Sequence, residues 1–210
     1  MGENVIPNLE EEPDKKPFEI TGYLRKILVY MVFSFGLFVL SVLLGAICFF
    51  LFPPVGVPII EPIKEILKWI RTASPVELFI LIFLNNSVKG LLNIILGPLL
   101  GIYPLLFILM NGFLVGYSFV QVSCLGGIET AILAIAPHGV IEIPATIACN
   151  AIGFKVALEA LKTLFKKGNL RLEIVNGLKF FVRVILPLLL IAAFVEVFVT
   201  KPLIEKTTMR

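Results

Sequence analysis

Long apolar runs, separated by short knots of proline, glycine and charge, set the rhythm of this chain. The first covers residues 27–52, is headed by Arg25 and Lys26, and stops at Pro53-Pro54. At ~1.5 Å per helical residue it exceeds the ~30 Å hydrocarbon thickness of a bilayer, so it spans with tilt. Residues 58–74 have a different texture. Glu61, Lys64, Glu65, Lys68 and Arg71 interleave there with Ile63, Ile66, Leu67 and Ile70 at helical spacing. That pattern predicts an amphipathic helix lying in the interface with Trp69 as a headgroup-level anchor, or alternatively a partner-binding helix. Ser74-Pro75 followed by Glu77 is a helix start, with proline at the first helical position and an acid in the first turn. A second span runs over residues 76–96 to Gly97-Pro98, and a third over 105–122, ended by Gly126-Gly127.

The stretch that follows is less regular. Apolar residues 128–136 end at Pro137-His138-Gly139, and a second helical stretch, interrupted by Pro144, continues over 140–164. Proline and glycine persist at membrane depth only where protein or water re-satisfies the freed backbone groups. This predicts a half-membrane or re-entrant piece, a break at Pro-His-Gly, and then a full span. A polar segment, 162–179, separates it from the last span, 180–199, which contains Pro187 and Glu196.

The expected fold is therefore all-α, a polytopic transmembrane helical bundle of five spans plus a broken or re-entrant half-helix, with six spans as the alternative. Residues 1–23 form a polar, disordered tail, acidic at Glu10, Glu11, Glu12 and Asp14 and broken by Pro7, Pro13 and Pro17, with none of the character of a signal peptide. Residues 24–202 form a single transmembrane domain and 203–210 a short polar tail. Lys15, Lys16, Arg25 and Lys26 precede the first span, and Lys162, Lys166, Lys167, Arg171 and Lys179 precede the last. Basic loops stay in the cytoplasm, so both regions should lie there, with four crossings between them and the N-terminus cytoplasmic. The C-terminus then lies outside, although Lys201, Lys206 and Arg210 pull the other way.

Composition agrees. Hydrophobic residues make up 58% of the 210 and charged residues 16%, with a mean hydropathy of +0.99. That leaves too little polar surface to cover a water-soluble domain. With a net charge of +3 and dispersed basic residues, nothing calls for a nucleic-acid partner, and none is expected. Cys48, Cys124 and Cys149 are far apart in apolar surroundings, without CxxC spacing, so neither a disulfide framework nor a zinc motif is indicated. No metal and no cofactor is expected.

The informative positions are the polar ones inside the runs. Lys89 sits mid-span, and Asn86, Lys89, Gly90, Asn93 and Gly97 share one helical face. His138 and Glu142 are four apart, Asn150 and Gly153 extend their neighbourhood, and Asn111 and Glu196 add an amide and an acid. A charge at the centre of a span costs ~2.5–3.5 kcal/mol on insertion scales and normally pairs with something. The expected pair is Lys89 with Glu142. Asn86, Lys89, Asn111, His138, Glu142, Asn150 and Glu196 thus form a candidate intramembrane polar site, either hydrogen-bonding glue between helices or a working site. No HExxH, nucleophile elbow, paired-acid metal spacing or Walker loop is present, so no enzyme activity is expected.

Four segments together carry a resemblance. They are Phe83-Leu-Asn-Asn-Ser-Val-Lys-Gly90, Met110-Asn-Gly-Phe-Leu-Val-Gly116, Ala136-Pro-His-Gly-Val-Ile-Glu-Ile-Pro144 and Ile191-Ala-Ala-Phe-Val-Glu196. In order and spacing, over roughly residues 24–202, the chain resembles the stage II sporulation protein M family of polytopic membrane proteins. The resemblance implies an all-helical membrane fold whose characteristic residues are His138, Glu142, Asn86, Asn111 and Glu196. In spore formers the named member is a membrane scaffold for wall-remodelling enzymes, and of that only a general membrane role carries over here. The first functional expectation is a non-enzymatic scaffold or assembly component of the plasma membrane, with the lipid bilayer and membrane proteins as partners. A transporter or permease-like subunit using His138, Glu142 and Lys89 is the alternative. Gly36 and Gly45 along the first span suggest a homo-oligomer.

Overall fold

The computed structural model describes residues 18–52 and 72–208, and every element among them is helical. The expected interfacial helix at 58–74, with Trp69, and most of the expected N-terminal tail lie outside the described residues. Among the described residues four helices are long and apolar enough to cross a membrane.

Helix α1 (Ile20–Leu51) has 32 residues, about 48 Å of helix. Helix α2 (Pro75–Ile95) starts as its sequence dictates. The Ser74 hydroxyl accepts from the Glu77 amide at 3.3 Å, and the Ser74 amide donates to the Glu77 carboxylate at 2.7 Å, with Pro75 at the first turn. Helix α3 (Ile102–Leu164) is counted as one element of 63 residues, yet Gly127 inside it has φ 84° and ψ 163°. Only glycine takes that conformation without strain, and it divides α3 in two.

Contact register gives the direction of each half. Ser41 donates to the Leu109 carbonyl, Gly45 packs on Phe113, and Phe49 stacks edge-on against Tyr117 at 5.2 Å. Numbers rise together, so the first half runs parallel to α1. Phe38 packs against Ile147, Ser34 accepts from Asn150, and Phe33 meets Phe154 at 5.3 Å. There the numbers oppose one another, so the second half runs back. Gly127 is the tip of a helical hairpin.

The break expected at Pro137-His138-Gly139 is absent. The helix runs continuously through Pro137 and Pro144 to Leu164, because an intramembrane proline removes one hydrogen bond without imposing a reversal. The segment is therefore the second arm of a hairpin and not a re-entrant half-helix followed by a separate span.

Helix α4 (Leu170–Phe180) occupies most of the expected polar segment, and it continues through a π-helical turn (Phe181–Ile185) into α5 (Leu186–Val195). A second π turn (Glu196–Thr200) leads into α6 (Lys201–Thr208). Each π turn ends two residues before a proline, Pro187 or Pro202. Proline cannot donate the helical bond to the carbonyl four residues back. The widened turns absorb this through bonds from the Leu186 amide to the Phe181 carbonyl and from Lys201 to Glu196.

Small residues let the helices approach closely. A Cβ at Gly112 would lie 2.6 Å from the Phe38 carbonyl oxygen, and one at Gly153 2.7 Å from the Asn93 carbonyl. Gly45, expected to face a second copy, packs inside the chain against Phe113, while Gly36 faces open space. The main core gathers Tyr23, Ile27, Ile94, Ile152, Phe180 and Ile185. Outside it the molecule is inverted relative to a soluble protein, with Val29, Val32, Phe50 and Val140 among many large apolar side chains left exposed.

Candidate intramembrane polar site

The second arm of α3 carries His138 and Glu142 one turn apart on the face turned toward α2 and the second π turn. From that π turn come Glu196 and Thr200, and from α2 comes Asn86. One ring nitrogen of His138 and one carboxylate oxygen each of Glu142 and Glu196 lie within 4.8 Å of one another, all three residues half-buried. Asn86 donates to Glu142 at 3.0 Å, and its own amide oxygen accepts from Asn85 at 3.2 Å. His138 Nδ1 is 3.5 Å from the Thr200 hydroxyl.

Cavities flank this group. One of about 300 Å³ is lined by His138, Glu196 and Thr200 together with Leu78 and Ile82. A second, of about 80 Å³, lies on the other side of His138 and reaches Glu142, Asn111 and Phe38. A third, of about 340 Å³, shares Asn111 with the second and is lined by Lys89, Tyr103 and Met110. The second cavity thus shares His138 with the first and Asn111 with the third.

The expected Lys89–Glu142 ion pair is not formed. Among the described residues no Lys89 nitrogen comes within 4.0 Å of a carboxylate oxygen of Glu142, although the lysine's charge acts on it. The carboxylate takes its donor from Asn86 one turn earlier on α2, and Lys89 is exposed toward the third cavity. Asn111 lines the row but donates to its own helix, to the Phe107 carbonyl at 2.7 Å. Asn150 belongs elsewhere. It donates to Ser34 at 3.0 Å and accepts from Asn93 at 3.4 Å, a buried polar tie joining α1, α2 and α3. The structure thus brings Asn86, His138, Glu142 and Glu196 together, sets Lys89 and Asn111 beside the next cavity, and assigns Asn150 to packing.

Sequence reading missed a second charged group. Glu173 of α4 is buried, pairs with Lys155 of α3, and accepts from the Tyr23 hydroxyl at 2.7 Å, while Lys155 also lies 5.5 Å from the Tyr23 ring centre. The available signal was Lys155 within the otherwise apolar stretch 151–158.

An all-helical chain with bilayer-length apolar helices around a half-buried His–Glu–Glu cluster is a membrane protein with an ionisable interior. A family model, stage II sporulation protein M, matches residues 32–201. The chain belongs to that family. No curated protein and no solved structure matches it.

Proposed function

We propose that this is a non-enzymatic, permease-like membrane subunit that passes a small cation, a proton included, through the row of cavities at His138. The observation that carries this reading is the His138–Glu142–Glu196 cluster. Two carboxylates this close at membrane depth repel unless something positive sits between them. His138 lines two cavities, and the reading takes these as the way in and out.

In this reading the helices cross the plasma membrane five times, with the tip at Gly127 outside. Tyr23, Lys155 and Glu173 meet at one end of the bundle, and Arg25, Lys26, Lys162, Lys166, Lys167 and Arg171 belong to that end of the helices. A basic end is a cytoplasmic end, so the N-terminus faces the cytoplasm and the C-terminus lies outside.

The test is flux into proteoliposomes under an imposed potential, followed with an interior pH dye and separately with cation indicators. Wild type should conduct, and Glu142→Gln and Glu196→Gln should each sharply cut the rate, because intramembrane charges mark ion pathways. Folded wild type with no flux, or flux indifferent to both substitutions, defeats the proposal.

A second reading, an assembly component, draws on a different observation. Lys162, Lys166, Lys167 and Arg171 are exposed around the short 165–169 connection, a basic surface suited to membrane-associated partners or anionic headgroups. Partners captured from native membranes that survive Glu142→Gln and are lost on neutralising these residues would favour it.

A further inference from the structure

We propose that His138, Glu142 and Glu196 form a binding site for a divalent first-row transition-metal ion, Zn²⁺ foremost. The inference rests on the cluster being the working centre described above, but not on passage through it.

One imidazole nitrogen and two carboxylate oxygens within 4.8 Å of one another are a mixed set of three ligands. Imidazole selects zinc, copper, iron and nickel over magnesium and calcium, and carboxylate oxygens complete such sites for zinc. Ligand atoms of a closed tetrahedral site lie about 3–3.5 Å apart, a spacing the two carboxylates reach by turning inward from separations of up to 4.8 Å. There is room for that, and for a water as fourth ligand, in the cavities on either side of His138.

The surroundings are those of a ligand set. Asn86 donates to Glu142 at 3.0 Å, the outer-shell hydrogen bond that orients a ligating carboxylate. Thr200 lies 3.5 Å from Nδ1 of the ring and limits how it can turn. The Glu196 side chain makes no hydrogen bond or ion pair with another described residue, and its carboxylate lies beside that of Glu142. That sets this cluster apart from Lys155–Glu173, where both charges are paired. The hairpin of α3 and the π turn bring in Glu196 as the third ligand, 54 positions from Glu142.

The experiment uses the full chain in detergent, without a polyhistidine tag, stripped with chelator, incubated with ZnCl₂, desalted and assayed for zinc by elemental mass spectrometry. Wild type should retain about one zinc per chain, as a single site of this ligand set does. His138→Gln and Glu196→Gln should weaken retention by at least about ten- to a hundredfold, the loss that even outer-shell changes cause. The triple Cys48→Ser, Cys124→Ser, Cys149→Ser variant should keep it.

One measurement needs no variant. His138 is the chain's single histidine, so zinc should shift the only imidazole NMR signals. Folded wild type that retains no zinc overturns the proposal. So does zinc that leaves the imidazole signals unmoved, or binding that vanishes with the cysteines. Proton flux that requires Glu142 in a protein without zinc would keep the permeation reading and reject this one. Zinc retention without any flux would do the reverse.

Discussion

Glu173 and Lys155 show what individual residues decide here. Both lie at the end of the bundle where α1 begins, and Tyr23 closes the group from that helix. Removing one partner of a buried pair strands the other and costs about 3–5 kcal/mol, while removing both charges together costs much less. Lys155→Met should therefore lower stability by about 3 kcal/mol, and Lys155→Met with Glu173→Gln should recover most of it, since a glutamine still accepts from Tyr23. Unfolding of the four forms of the double-mutant cycle in mixed micelles measures this, and additive losses would show that the pair is not coupled. Lys155 was visible in the sequence as a charge in an apolar stretch, but its partner was not, because Glu173 falls in a stretch whose charges read as a connecting segment. His138 and Glu142 were legible because four-residue spacing needs only a helix. Glu196 stood out as a lone acid in an apolar run, but nothing local said which residues it would meet. The Lys89–Glu142 pairing failed for a related reason. Charge complementarity names a partner without saying which side chain reaches first, and Asn86 does.

The elements follow from glycine and proline, though not always where pattern places the break. A proline inside a membrane helix subtracts one donor, and the chain answers with a π turn before Pro187 and Pro202, or with no break at all at Pro137 and Pro144. Reversal needs a positive φ, which Gly127 supplies. The start of α2 at Ser74-Pro75-Val-Glu77 was readable because a capping box is local chemistry. The packing of α1 on α3 was not, because it depends on which small residues meet across helices. Gly112→Val should thus lose about 1–3 kcal/mol or more through overpacking, its Cβ falling 2.6 Å from the Phe38 carbonyl oxygen. Gly36→Val, with nothing within 4 Å, should be tolerated. Melting temperatures of the two variants by size-exclusion thermostability decide it, and equal effects would contradict the close approach of α1 and α3.

At the scale of the whole molecule, alternation of direction links fold to function. Asn86 faces Glu142, Gly90 packs on Cys149 and Asn93 bonds Asn150, so α2 runs parallel to the second arm of α3. Gly177 packs on Ile152, Glu196 reaches Glu142 and Thr200 reaches His138, so the last helix runs opposite to that arm and parallel to α1. The sequence reading expected an even number of crossings between the basic residues before the first and last spans, and the helix directions are compatible with that. It missed the glycine-tipped hairpin, because a two-residue glycine knot does not reveal whether a chain bends, reverses or ends. The proposed five-crossing topology places Cys124, exposed and three residues before Gly127, outside the cell, and Lys166 in the 165–169 connection inside it. With Cys48 and Cys149 replaced by alanine, a membrane-impermeant maleimide should label Cys124 in intact cells. A cysteine at position 166 (Lys166→Cys, in a background lacking the other three) should label only after permeabilisation. Labelling of both from one side would mean that the second arm of α3 does not cross the membrane, and the His138 cluster would then lie at a surface and not within the bilayer.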